Sequence, residues 1–166
     1  MSKKKLKQGQ IFTPPWVTNE MLDLIGGDKV LSDDESFFFE PTCGDGQMLI
    51  VIVERIYKAL LAKYDGDIEK ALSETLFKFY ASELDETLIP PARMRVWQFA
   101  AKEIKRELSL FEQYLIAHQL QQSIECRDAL KESIDAIDSC PGMRALKRKE
   151  LKRQKSKKLA TEEAIK

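Results

Sequence analysis

Three carboxylates, each at the end of an expected strand, and two glycines beside the first are the residues of this chain best suited to ligand chemistry. Glu40 follows Phe37-Phe38-Phe39 and leads into Pro41-Thr42-Cys43-Gly44-Asp45-Gly46. Glu83 follows Phe79-Tyr80-Ala81-Ser82, and Asp128 comes two residues after Cys126. Glycines after a strand let the backbone turn sharply and approach a ligand where a Cβ would intrude. An acid at the end of a second strand accepts hydrogen bonds from both hydroxyls of a ribose. Glu40, Asp45, Glu83 and Asp128 together repel phosphate, so the set suits a neutral or cationic nucleoside better than a pyrophosphate. The dinucleotide pattern also fails in spacing, because its third glycine falls on Leu49. Covalent catalysis has no support: Cys140 has no base to activate it, and His118 is the single histidine. No Cys-x-x-Cys or Cys/His ligand spacing occurs, so no metal is expected.

The elements that must position these residues can be read from the pattern of the chain. Thr13-Pro14-Pro15 opens a helix, with Thr13 as cap and proline in the first turn. Val17, Met21, Leu24 and Ile25 repeat as one apolar face, and Gly26-Gly27 ends it. Residues 28–35 read as an acidic loop and 36–40 as the first strand. The glycine turn and the length of the apolar run after it predict a buried helix over about 47–63, broken at Asp65-Gly66-Asp67. A short helix over 68–75 precedes a second strand containing Phe77, Phe79 and Ala81 and ending at Glu83; Asp85 caps the next helix. Pro90-Pro91 starts a helix with Met94, Trp97, Ala101, Ile104 and Leu108 on its apolar side. Another helix spans about 109–121, and a third strand runs from Ser123 to Asp128. Alternating strands and helices predict an α/β, Rossmann-like, doubly wound and mostly parallel sheet.

Composition sets the outer bounds. The chain has 166 residues, 43% apolar and 33% charged, enough for one domain with a real core. No apolar run reaches the roughly 18 residues of a membrane span. Met1-Ser2-Lys3-Lys4-Lys5 is not followed by an apolar segment, so no secretory signal is expected. Three cysteines, an odd number, fit a cytoplasmic protein better than a disulfide scaffold. The zero net charge conceals an asymmetry: residues 8–143 hold 13 basic and 24 acidic residues, a net −11, between two basic ends. Residues 144–158 carry nine Lys or Arg against Glu150 alone. The basic end is a solvated tail or a hold on a phosphate backbone, with Arg144, Lys147, Arg148, Lys152 and Arg153 as candidate nucleic-acid contacts. The expected organisation is a basic tail over 1–9, a ligand-binding domain over 10–142 and a basic helical tail over 143–166.

The string Glu40-Pro41-x-Cys43-Gly44-x-Gly46 resembles the cofactor motif of S-adenosylmethionine-dependent DNA methyltransferases, in particular the adenine-N6 group. Gln10-Ile11-Phe12-Thr13-Pro14-Pro15-x-Val17 is similar to the segment preceding that motif in the same group. The resemblance covers about residues 10–130, with four motifs in order. It implies a class I methyltransferase core, abbreviated at its C-terminal side, with S-adenosyl-L-methionine as cofactor and DNA as partner. Carried over by position, Thr13 helps hold the methionine end, and Glu40, Pro41, Cys43, Gly44 and Gly46 form the loop. Glu83 takes the ribose and Leu84 covers the adenine. Asp128 accepts from the adenine amino group, with Ala129 beside the ring. A bacterial or phage-encoded protein is the setting the family implies.

The resemblance stops after Leu130. The family's catalytic loop, Asn/Asp-Pro-Pro-Tyr/Phe, does not occur between Lys131 and Lys166, and Pro14-Pro15 and Pro90-Pro91 lack the Asn. That loop polarises the target amino group and stacks on the flipped base. The expectation is therefore a cofactor-binding methyltransferase-like protein, with catalysis shared with a second subunit that supplies the loop and reads DNA. The alternatives are a non-catalytic module that binds nucleic acid or a partner protein, and an α/β domain for another small ligand.

Overall fold

A computed structural model of the chain describes residues 13–129. The expected tails, Gln10-Ile11-Phe12, Cys140 and the basic residues Arg144, Lys147, Arg148, Lys152 and Arg153 lie outside the described residues. The elements run α1 (Pro15–Leu24), α2 (Gly27–Leu31), β1 (Phe38–Glu40), α3 (Gln47–Lys63), α4 (Ile68–Phe77) and β2 (Phe79–Glu83). A 3-10 turn (Glu86–Leu88), α5 (Ile89–Ile104), α6 (Leu110–Ser123) and β3 (Ile124–Cys126) complete the order. The strands form one parallel sheet in the order β1-β2-β3. The fold is α/β, a three-stranded parallel sheet with flanking helices, consistent with a Rossmann-like doubly wound core.

Each parallel pairing needs a crossover, and the apolar content of the helices explains how these are made. α3 carries buried Leu49, Ile52, Val53, Ile56 and Leu60 and packs against α1, α2, α4 and α5. α4 begins at Asp67, whose carboxylate accepts from the Lys70 N–H at 3.0 Å. α6 starts in a capping box, Ser109 and Glu112 each accepting from the other's N–H. The central strand β2 is buried over Phe79-Tyr80-Ala81-Ser82, as a strand flanked on both sides should be. Lys78, just ahead of it, is buried too. Its ammonium donates to the carbonyls of Asp33 and Ser36, so a charge at the foot of the sheet is held by two loop carbonyls.

Several expectations shift. The face of α1 that meets the core holds Thr18 and Leu22, while Met21, Leu24 and Ile25 are exposed. The cap of α1 is Pro14, with no side-chain cap bond; Thr13 sits one residue outside it. Residues 27–31 form a helix rather than a loop because Leu31 is wholly buried and pulls the turn inward. Phe77 ends α4 and is exposed, so β2 begins at Phe79. In α5 the core contacts are Ile89, Ala92, Val96 and Ala100; Met94 faces out, and Trp97, Ala101 and Ile104 pack at the margin. The small residues at 92, 96 and 100 let α5 come close, which a count of large apolar residues misses.

Candidate ligand site at the strand tips

The loop between β1 and α3 is tied to the end of β2 by three hydrogen bonds. The Cys43 N–H donates to the Ser82 carbonyl at 2.9 Å. The Ser82 hydroxyl donates to the Pro41 carbonyl at 3.0 Å. The Gly44 N–H donates to Glu83 Oε2 at 2.9 Å. The strand-end acid and the glycine bend therefore form one unit. The other oxygen of Glu83 accepts from the Asp85 N–H at 2.9 Å. Each carboxylate oxygen holds two acceptor sites, so both keep capacity for a further donor such as a ribose hydroxyl.

The glycines act differently from one another. Gly44 takes φ +56° and turns its N–H to Glu83. Gly46 is buried at φ +87° as the residue before α3, and a Cβ there would lie 2.9 Å from the Ala92 Cα on α5. Gly46 thus sets how closely the loop and α5 approach. Asp45, between them, is gripped by Arg95 of α5. The Arg95 Nε donates to the Asp45 carbonyl at 2.9 Å, and its Nη2 pairs with Asp45 Oδ2 at 2.8 Å. The other oxygen, Oδ1, is buried without a hydrogen-bond partner among the described residues. Replacing Arg95 by Ala should leave the fold melting within a few degrees of the wild type, since an exposed pair contributes only about 0–1 kcal/mol. It should also release the loop backbone, read as faster amide exchange at Gly44, Asp45 and Gly46.

The other sequence candidates are spread around this unit. Glu40 is buried and bends back, its Oε1 accepting from the N–H and hydroxyl of Thr42 at 3.0 and 3.2 Å. It also lines an apolar cleft of about 210 Å3 with Thr18, Met21, Phe38 and Met48. Pro41 is exposed and serves through its carbonyl. Leu84 is 69% exposed beside Glu83, free to cover a planar ring. Asp128 and Ala129 are half-buried just past β3, whose Cys126 is in register with Glu83. The Arg127 N–H donates to the Glu83 carbonyl at 3.0 Å, fixing that tip beside β2. Thr13 is half-buried at the start of α1 and forms no hydrogen bond with the loop among the described residues.

The Cys43 side chain turns inward and is buried. Burial first, and then the negative charge of Glu83 and Glu40, pushes its thiol up to about 12. Cys43 therefore shapes the loop from beneath and is neutral at any pH near 8. Under native conditions at that pH, iodoacetamide should label the exposed Cys126 and spare Cys43. Peptide mass spectrometry reads this directly, and unfolding should abolish the difference.

Sequence reasoning missed Arg95 and Ser82. Arg95 lies 50 residues from its partner, and nothing local marks it. Ser82 is a small polar residue inside a buried strand, and that burial pattern was the one available signal. Among the described residues no cluster of His, Cys, Asp and Glu is arranged to hold a metal, and no helix is long and apolar enough to cross a membrane. No protein-family model, curated protein or solved structure matches the chain.

Proposed function

We propose that the chain binds S-adenosyl-L-methionine at the carboxyl tips of β1, β2 and β3, as the cofactor-binding part of a DNA adenine-N6 methyltransferase system with a class I core. The observation that carries this reading is the hydrogen bond from the Gly44 N–H to the Glu83 carboxylate. It puts the glycine bend and the second-strand acid on one small space, with the third strand's tip beside it. The donor set fits the group. Glu83 retains acceptor sites for two ribose hydroxyls, Leu84 offers an apolar cover, and Asp128 supplies an acceptor for an adenine amino group. The acids disfavour a phosphate-bearing ligand there.

When bound, the cofactor supplies an electrophilic methyl group for in-line transfer to an amino nitrogen. The chain's residues would bind and orient it: Glu83 would take the ribose, beside the loop from Cys43 to Gly46 that the Gly44 N–H ties to the same carboxylate. Positioning is the main contribution this half can make. Asn-Pro-Pro-Tyr/Phe does not occur in the 166 residues, so the base-stacking loop has to come from outside them, with a second subunit as the proposed source. Titration calorimetry tests the reading. S-adenosylmethionine and S-adenosylhomocysteine should bind and NAD should not, whereas no heat from either adenosyl ligand at millimolar concentration contradicts it.

That missing loop also favours a second reading, a non-catalytic module that grips nucleic acid through residues 143–166. Deleting that segment should then abolish DNA binding together with its salt dependence. Undiminished binding by the shortened chain would refute this second reading.

A further inference from the structure

Helix α6 has two apolar faces, and only one of them is used. Ile116 and Leu120 enter the core, while Leu110 is 85%, Phe111 68%, Tyr114 62% and Leu115 48% exposed on the opposite side. The neighbouring Phe77, which ends α4, is exposed as well. A contiguous exposed apolar patch marks an interaction surface more often than bare solvent-facing surface does. Beside the stripe, α4, α5 and α6 enclose a cleft of about 540 Å3, floored by Leu72, Leu76, Ile104 and Leu108. The outward side chains leave on the order of 600 Å2 uncovered, taking 150–250 Å2 for each aromatic ring. With the cleft walls this nears the roughly 800 Å2 per partner of a standard interface.

We propose that this stripe and cleft are the interface of a two-fold homodimer, with α6 packed antiparallel against α6 of a second copy. Charge decides in favour of a second copy. In a chain that is 33% charged, the 14 residues of α6 hold no Asp, Lys or Arg and, beside the single histidine His118, one Glu, Glu112. Its carboxylate is already engaged by Arg106 at 2.6 Å and by the Ser109 hydroxyl at 2.7 Å. The cleft rim adds Glu69 and Arg106, and these pair with each other at 2.8 Å, so the charges on this face are already engaged among themselves rather than offered to a strongly charged partner. A two-fold copy brings the same uncharged stripe and no repulsion, as a self-complementary interface requires. The Tyr114 and His118 rings lie side by side on this face, with centroids 5.8 Å apart and planes tilted by 32°. This interface is independent of what the strand tips bind.

Sedimentation equilibrium of the full chain, from low to high micromolar, is the test. The expected result is a mass of twice 19.1 kDa at the upper end. Phe111→Glu with Tyr114→Glu should return the chain to a monomer whose melting temperature matches that of the wild type at the dilute end, where it too is monomeric. Leu110→Lys, at the most exposed position, should weaken association several-fold if the double variant proves hard to purify. A monomer at every concentration overturns the proposal, as does a dimer that all three substitutions leave intact. A monomer whose α6 stripe is protected from solvent by the chain's own residues overturns it equally.

Discussion

Glu83→Ala should reduce S-adenosylmethionine binding by at least about 100-fold in titration calorimetry. The side chain supplies the acceptors for two ribose hydroxyls, and a hydrogen bond to a charged group contributes about 1.5–3 kcal/mol. Losing both removes about 3 kcal/mol or more, and each 1.4 kcal/mol is tenfold in affinity. The same substitution leaves the Gly44 and Asp85 N–H groups without their acceptor, so the melting temperature should also fall. Glu83→Gln separates the two effects. Its amide oxygen can accept one of these bonds while its NH2 meets the other donor, so stability should recover partly and affinity should stay low. Full-strength binding by Glu83→Ala would remove the residue from the site.

Gly46→Ala is the substitution expected to harm the fold most for its size. Two costs fall on one methyl group. The backbone sits at φ +87°, a left-handed conformation that costs an L-residue roughly 1–2 kcal/mol. The new Cβ would also stand 2.9 Å from Ala92 Cα and 3.1 Å from Ala92 Cβ, and neither can swing aside. Overpacking of that kind costs about 1–3 kcal/mol. The total, about 3 kcal/mol, is a large part of the 5–15 kcal/mol that a domain commonly has. Urea unfolding should show a lower midpoint with an unchanged slope. Gly66→Ala is the internal control, since Gly66 has φ +86° but nothing within 4 Å of its added Cβ. It should lose only the conformational part, and equal losses at the two positions would show that the contact with Ala92 does not matter.

One physical division separates the features legible in the sequence from those hidden in it. α3 came out at Gln47–Lys63 because a glycine turn and a long apolar run are local signals that survive without tertiary information. The ends of β1 and β2 were legible for the same reason, each a short apolar run stopped by an acid, whereas β3 is shorter than expected and ends at Cys126, two residues before Asp128. The inward face of α1 was not, because Thr18 is buried while Met21 and Leu24 are exposed, and size and polarity alone point the other way. Nor was α2, whose single buried anchor, Leu31, sits among acidic residues. The grip of Arg95 on Asp45 could not be seen at all, since it joins two elements across 50 positions. The candidate site was therefore legible as a set of loop and strand-end residues, and illegible as a mechanical assembly. Ser82, Ala92 and Arg95 hold the loop in shape, and none of them belongs to a local pattern.

The central claim is that an adenosyl group occupies the space between the glycine bend and the tips of β2 and β3. Nuclear magnetic resonance of the 15N-labelled chain, titrated with S-adenosylhomocysteine, tests that most directly. The predicted result is saturable shifts concentrated at the amides of Gly44, Leu84, Asp85 and Asp128, with α6 unmoved. A spectrum unchanged at millimolar ligand, or shifts confined to the cleft between α4 and α6, would contradict it.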